Sequence, residues 1–96
     1  MRFTWREAKR RINLQDHGFD FVDAKNAFEG NTLTIPDDLD DYGEKRFVTL
    51  AFLQGIVVVI AHTESDDLIR IISMRKATKN EKDCYFAQVG DRLETG

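Results

Sequence analysis

Five cationic side chains lie close together in a chain whose formal net charge is −3. They are Arg70, Arg75, Lys76, Lys79 and Lys82. Two groups able to transfer protons, His62 and Glu64, precede them, directly after the apolar run of residues 56–61. Such a stretch would suit a phosphate backbone, because arginine and lysine form charge-assisted hydrogen bonds to phosphate oxygens. A solvated surface is the alternative, since charged residues are mostly exposed.

The composition limits the classes of protein to which the chain can belong. A negative net charge argues against a protein that coats DNA, because such proteins draw their affinity from many phosphate contacts. The 96 residues suffice for one domain, residues 1–96, and a 42% hydrophobic content can fill its core. No segment resembles a signal peptide or a membrane span, so we expect a cytoplasmic protein that does not act in a membrane.

Cofactor chemistry has no support in the sequence. Cys84 is the single cysteine, so no internal disulfide can form. His17, His62 and Cys84 are too widely spaced for a dedicated metal site. We therefore expect neither a metal ion nor another cofactor.

Helical spacing dominates the first thirty residues. Thr4 and Glu7 form a capping-box pattern that predicts the start of a helix, and Gly18 predicts its end. Asp20 predicts a second N-cap, followed by a helix over residues 21–29. The chain therefore begins with a helical pair.

Strand spacing follows from residue 32 onward. Pro36 closes the first strand or places it at a sheet edge, and an acidic loop follows. Arg2 and Phe3 could add a further edge strand. The predicted strands cover residues 32–35, 46–53, 56–61 and 68–74, with turns at Gly55 and at residues 64–67.

The C-terminal part predicts one more helix. Thr78 and Glu81 repeat the capping-box pattern and open a helix over residues 78–88, with residues 89–96 as a flexible tail. Hairpin connections are too short for crossover helices, which favours an antiparallel sheet with the helices packed on one face. The predicted class is α+β: an antiparallel β-sheet with an N-terminal helical pair and a C-terminal helix.

A set of residues spread over roughly positions 3–86 forms a recognisable pattern. Its members are Trp5, Asn13, His17-Gly18, Phe21, Ala24, Phe28, Glu44-Lys45-Arg46-Phe47, His62-Thr63-Glu64, residues 69–78, Glu81 and Tyr85. The most specific part is the run Arg70-Ile71-Ile72-Ser73-x-Arg75-Lys76-Ala77. This pattern resembles the BrnT family of bacterial toxins. The resemblance implies a small ribonuclease toxin of a type II toxin-antitoxin system with a RelE-like fold. It also implies a DNA-binding, BrnA-like antitoxin as partner. The toxin itself would contact DNA only through this antitoxin.

Ribonuclease chemistry gives these residue types definite tasks. Without a metal, the RNA 2′-hydroxyl must attack the adjacent phosphorus while the growing charge is neutralised and the 5′-oxygen is protonated. Arg70 and Arg75 suit charge neutralisation, because a guanidinium can bond two phosphoryl oxygens at once. His62 or Glu64 could transfer the protons. The remaining predicted RNA contacts are Lys76, Lys79, Lys82 and Tyr85.

Each assignment has a structural alternative. Arg70 could extend over a sheet surface, and alternation puts Arg75 on the opposite face unless a bulge or the strand end turns it. Glu81 is by default the capping-box acid, and His62 could be a polar strand terminus. Ser65 stands where the resembled family often has an arginine, which motivates a second hypothesis: a binding module that keeps the antitoxin surface with weakened catalysis.

Overall fold

The computed structural model describes the backbone of residues 1–41 and 44–94, and the side chains of residues 1–37 and 44–90. Its elements are β1 (Arg2–Trp5), α1 (Glu7–His17), a 3-10 helix (Phe21–Asp23), α2 (Ala24–Glu29), β2 (Thr32–Asp41), β3 (Glu44–Leu53), β4 (Ile56–Ser65), β5 (Leu68–Lys76) and α3 (Lys79–Glu94). The strands form one sheet in the order β1-β5-β4-β3-β2. The α+β class is confirmed. No helix in these ranges is both long and apolar enough to cross a membrane.

The sheet is mixed, so the prediction of a fully antiparallel sheet is wrong. Strands β2 to β5 pair as antiparallel neighbours, as hairpin connections require. Strand β1 instead pairs with β5 in parallel, from Arg2 opposite Leu68 to Trp5 opposite Ile71. The long chain segment between β1 and β5 permits this parallel pairing.

The N-terminus of α1 differs from the prediction because β1 occupies the residues directly before it. Thr4 belongs to β1, so it does not cap a helix, and α1 has Arg6 as its N-cap without a side-chain hydrogen bond. The predicted end at Gly18 is confirmed: this residue has a φ of 77°, which glycine adopts without strain, and its N–H donates to the Leu14 carbonyl. Asp20 also acts as the predicted cap, since its Oδ1 accepts from the Val22 N–H at 3.1 Å.

The helices lie on both faces of the sheet, not on one face as predicted. On β4, Val58 and Ile60 point to one face, while Val57 and Val59 point to the other. The first face is covered by Phe21, Ala24 and Ala27 with the partly buried Phe3, Trp5, Phe19 and Phe28. The second is covered by Tyr85 and Val89 of α3. A central strand that is apolar at consecutive positions requires cover on both sides. We call these the α2 face and the α3 face.

All four strands predicted from residue 32 onward are longer than predicted, with β3 beginning at Glu44 and β5 ending at Lys76. Residues 37–41 belong to β2, so the prediction of an acidic loop directly after Pro36 is wrong. Strand β2 continues through Pro36, which pairs with Phe47. The edge position of β2 permits this, because one side of an edge strand has no ladder hydrogen bonds to lose. Strand β4 extends to Ser65, and the turn is reduced to residues 66–67, where Asp66 has a φ of 51°.

The capping box of α3 is confirmed, but the helix is longer than predicted. The Glu81 N–H donates to Thr78 Oγ1 at 3.2 Å, and Glu81 Oε1 accepts from the Thr78 N–H at 2.8 Å. The helix continues to Glu94 and buries Val89 completely, so residues 89–94 are not a tail. Residues 95–96 lie outside the described part of the chain.

Asn13 of α1 secures the second half of β5. Pairing between β1 and β5 stops at Ile71, so the backbone that follows needs another partner. The buried Asn13 amide supplies it: Nδ2 donates to the Met74 carbonyl at 2.9 Å, and Oδ1 accepts from the Met74 N–H at 3.1 Å. Nδ2 also donates to the Phe19 carbonyl at 3.0 Å. The Asn13 side chain therefore makes the backbone hydrogen bonds that a neighbouring strand would make.

We expect Asn13→Ala to lower the free energy of unfolding by about 2–4 kcal/mol, because it leaves buried backbone groups without partners. Asn13→Asp should also destabilise the fold, since a carboxylate accepts from Met74 but repels the two carbonyls. Urea unfolding followed by the fluorescence of Trp5 measures both. Gln15→Ala, at an exposed position of the same helix, is the control. Equal losses in the Asn13→Ala and Gln15→Ala variants would contradict this account.

Candidate active site

A row of polar side chains crosses the α3 face at the end of the sheet near the 66–67 turn. The strand register places Arg46 opposite Thr63, and Thr63 opposite Arg70. Thr63 is four residues from Val59 on β4, so both belong to the α3 face. Asp37 of β2 continues the row, opposite Arg46 and 3.3 Å from its Nε. Two guanidinium groups therefore flank one buried threonine.

A β-bulge brings Arg75 to the same face as Arg70. Ala61 pairs with Ser73 and His62 with Ile71, which leaves Ile72 without a partner on β4. Arg70 and Arg75 are five residues apart, and this one extra residue restores their common direction. Arg75 accordingly lies opposite Val59, four residues from the partner of Arg70. The two positions are roughly 13 Å apart along the strand.

Glu44 links the polar row across three strands. Its Oε1 accepts from Arg70 Nη2 at 3.2 Å, and its Oε2 accepts from the Thr63 hydroxyl at 3.0 Å. The Arg70 side chain remains 22% exposed, so solvent and ligands still reach it. The carboxylate thus orients Arg70 on a surface that α3 does not cover completely.

Glu81 holds Arg75 by a second, stronger pair. Both nitrogens of the guanidinium fork donate to the carboxylate, at 2.8 and 2.9 Å. These bonds hold the pKa of Glu81 at about 2 and raise the pKa of Arg75. Because Glu81 also completes the capping box with Thr78, the pair joins β5 to the first turn of α3. The planar fork that binds this carboxylate has the geometry that phosphate oxygens require.

His62 is buried on the α2 face. Its ring lies edge-on to Phe28, with centroids 5.2 Å apart, and stacks with Phe47 at 5.9 Å. Nε2 is 2.7 Å from the Thr49 hydroxyl, whereas Nδ1 has no hydrogen-bond partner and lies 3.9 Å from a Glu64 oxygen. Burial lowers the pKa of His62 to about 4, so the ring is neutral at physiological pH.

The structure does not bring the predicted catalytic residues together. Arg70 and Arg75 share the α3 face, while His62 and Glu64 point to the α2 face, with the sheet between them. In this arrangement the two pairs cannot act on one phosphate, and their catalytic roles stay predictions. Glu44 had no part in the chemistry predicted from the sequence. The available signal was its position two residues before Arg46, because strand alternation continued by two residues puts both side chains on one face.

The predicted RNA-contacting residues have different environments. Tyr85 is buried, and its hydroxyl donates to the Asn31 carbonyl at 2.9 Å. Lys79 is exposed and forms an ion pair with Asp83. Lys76 and Lys82 line a groove at the opposite end of the sheet from Arg70. Their RNA contacts stay predictions. Among residues with described side chains, no three His, Cys, Asp or Glu are placed to hold a metal ion.

Residues 5–81 match a family model described as the ribonuclease toxin BrnT of type II toxin-antitoxin systems. The match includes both arginine–glutamate pairs of the α3 face, Arg70 with Glu44 and Arg75 with Glu81. No match to a curated protein was found.

We expect the free energy of unfolding to fall as the pH drops from about 6.5 to about 4, because the unfolded chain protonates His62 before the folded chain does. The expected loss of unfolding free energy over this pH range is about 3 kcal/mol. Urea unfolding at several pH values measures the loss. His62→Gln should remove most of it, and His17→Gln, at an exposed position, should retain it. If the unfolding free energy of His62→Gln falls with pH as steeply as that of the parent chain, His62 is not the cause of the pH dependence.

Proposed function

The chain belongs to the BrnT family of ribonuclease toxins of type II toxin-antitoxin systems, and we propose that it cleaves RNA on its α3 face by 2′-hydroxyl attack, without a metal ion. The observation that carries the proposal is the placement of Arg70 and Arg75 on one accessible face, each oriented by a glutamate. We further propose a RelE-like fold and a cytoplasmic, bacterial setting.

The arginines neutralise the charge that develops on the phosphoryl oxygens. Arg75 is 41% exposed, so a phosphate can approach its guanidinium beside the Glu81 carboxylate. Arg70 is less exposed, because its side chain lies between Glu44 and the strand surface. It serves as an oriented hydrogen-bond donor to the phosphate. Removing one well-placed stabilising donor typically costs on the order of 100-fold or more in rate.

Glu44 is the proton acceptor that this geometry favours. It shares the α3 face with Arg70 and contacts its guanidinium directly at 3.2 Å. Glu81 is a poor base, because the Arg75 hydrogen bonds hold its pKa at about 2 and an effective base has a pKa closer to the working pH. His62 and Glu64 face the other side of the sheet. Glu44 therefore takes the role predicted from the sequence for those two residues. It accepts the proton of the 2′-hydroxyl as the P–O2′ bond forms and returns that proton to the 5′-oxygen as the P–O5′ bond breaks.

The antitoxin is proposed to be a BrnA-like, DNA-binding protein that covers the α3 face with an acidic segment. Carboxylates of that segment would compete with RNA phosphates for Arg70 and Arg75, because both anions bind a guanidinium fork in the same geometry. The toxin would then contact DNA only through its antitoxin.

We expect the purified protein to cut single-stranded RNA in the presence of EDTA, to leave a 2′,3′-cyclic phosphate and to spare the matching DNA, which lacks the nucleophile. Arg70→Ala and Arg75→Ala should each slow cleavage by about 100-fold or more. Gel analysis of end-labelled RNA, with mass spectrometry of the product ends, measures both effects. Arg11→Ala is the matched control, since that side chain is 76% exposed on α1.

Metal-dependent cleavage, or equal cutting of RNA and DNA, would reject the mechanism. Cleavage that survives in both arginine variants would place the active site elsewhere. A parent chain that cuts no RNA yet binds its antitoxin would support the alternative, a binding module with lost catalysis.

We expect Glu81→Gln to retain most ribonuclease activity, because Gln completes the capping box and leaves Glu44 in place. The variant should lose about 1 kcal/mol of unfolding free energy at pH 7. Since the pKa of Glu81 is lowered, this difference is present above about pH 4.5 and disappears as the pH falls towards 2. Asp83→Asn, on an exposed part of the same helix, is the control. Lost activity with an unchanged melting temperature would instead assign catalysis to Glu81.

A further inference from the structure

An apolar groove opens at the end of the sheet opposite Arg70. Phe52 and Ile56 flank the turn between β3 and β4, and Phe86 reaches them from α3. The exposed fractions of these three residues are 48%, 37% and 44%, which is high for large apolar side chains. The Phe52 and Phe86 rings meet edge-to-face with centroids 6.2 Å apart. We call this surface, completed by Gly55, Val57, Lys76 and Lys82, the phenylalanine groove.

The only charged residues that line the described groove are cationic. Lys76 and Lys82 border it, and neither forms an ion pair with any described side chain. Several other cations of the chain are paired, such as Arg10 with Asp20 and Arg75 with Glu81. The groove thus combines exposed apolar area with unneutralised positive charge.

The groove and the candidate active site have different lining residues and meet at the start of α3. Glu81 binds Arg75, while the next residue, Lys82, borders the groove. Consecutive helical residues point about 100° apart. Neither Arg70 nor Arg75 lines the groove. Substitutions of Phe52 and Phe86 therefore leave the side chains of the candidate active site unchanged.

We propose that the phenylalanine groove docks an acidic, amphipathic segment of the antitoxin. Apolar side chains of the segment pack between Phe52 and Phe86, and its carboxylates pair with Lys76 and Lys82. The inference rests on the antitoxin partner and adds a second anchoring surface to the one over the arginines. Aromatic anchors in an apolar pocket carry most of the binding energy in protein interfaces, while rim charges speed association.

Other occupants fit the groove less well. Single-stranded RNA binds platforms on which successive bases stack, whereas the planes of these two rings lie 76° apart and the groove has no other aromatic lining residue among those described. A second copy of the chain would present the same lysines to each other across a two-fold axis, which is electrostatically unfavourable. An acidic protein segment satisfies both the apolar and the charged part of the groove.

Binding of the purified antitoxin to immobilised toxin variants tests the proposal. We expect Phe52→Ser and Phe86→Ser each to weaken the affinity by about 10-fold or more, mainly through faster dissociation. Lys76→Gln with Lys82→Gln should slow association and reduce its salt dependence. The matched controls are Val22→Ser, whose parent side chain is also exposed, and Lys25→Gln on α2; both should change the affinity less than two-fold.

Two further measurements keep the result independent of variant folding and of catalysis. Hydrogen exchange in the parent toxin should slow at residues 52–57 when the antitoxin binds. RNA cleavage by the free Phe52→Ser and Phe86→Ser variants should equal that of the parent, since neither side chain is assigned to RNA. If the parent cuts no RNA, the proposed ribonuclease mechanism fails while the affinity data still test the groove.

Three outcomes would overturn the proposal. The first is parental antitoxin affinity in both phenylalanine variants with no exchange protection at residues 52–57. The second is loss of RNA cleavage with intact antitoxin affinity, which would assign the groove to RNA. The third is a dimer of the free toxin that Phe86→Ser dissociates, which would assign it to a second copy. Ile56→Ser, at the turn, replaces any phenylalanine variant that melts early.

Discussion

The direction of Arg75 depends on one unpaired residue in β5. Without the bulge at Ile72, a five-residue separation would put Arg70 and Arg75 on opposite faces of the sheet. The bulge lies where β1 stops pairing, and Asn13 bonds both backbone groups of Met74 just beyond it. A single buried amide on α1 therefore binds the backbone one residue before Arg75, whose side chain lies on the other face of the sheet.

Electrostatic pairing gives the α3 face its organisation. Each arginine is held by a glutamate that is also bonded to a second group, Thr63 for Glu44 and the Thr78 N–H for Glu81. In the proposed mechanism, such pairs fix a guanidinium before the substrate arrives, so less side-chain entropy is lost when phosphate binds. Their carboxylates also keep the charge locally balanced in a chain that is acidic overall.

The α2 face shows the opposite use of polar residues. His62 sits among aromatic rings and shares a hydrogen bond with Thr49, whose hydroxyl is 2.8 Å from that of Thr34. This chain of contacts crosses three neighbouring strands beneath α2 and satisfies most of the polar atoms there. The α2 face thus surrounds its buried histidine with aromatic rings, while the α3 face combines a second buried core under α3 with the two arginine–glutamate pairs. Both faces contribute to stability, and the proposed chemistry uses only the second.

Local signals in the sequence determined the α+β class, the glycine at the end of α1, the Asp20 cap and the capping box of α3, because each depends on a few neighbouring residues. The residue pattern also predicted the family that the model match supports. Long-range contacts decided the rest. Pairing with β5 made Thr4 a strand residue, and the bulge at Ile72 depends on β4 and α1, which lie far away in sequence. Which side chains share a face is a property of register, and register is set only when the strands meet.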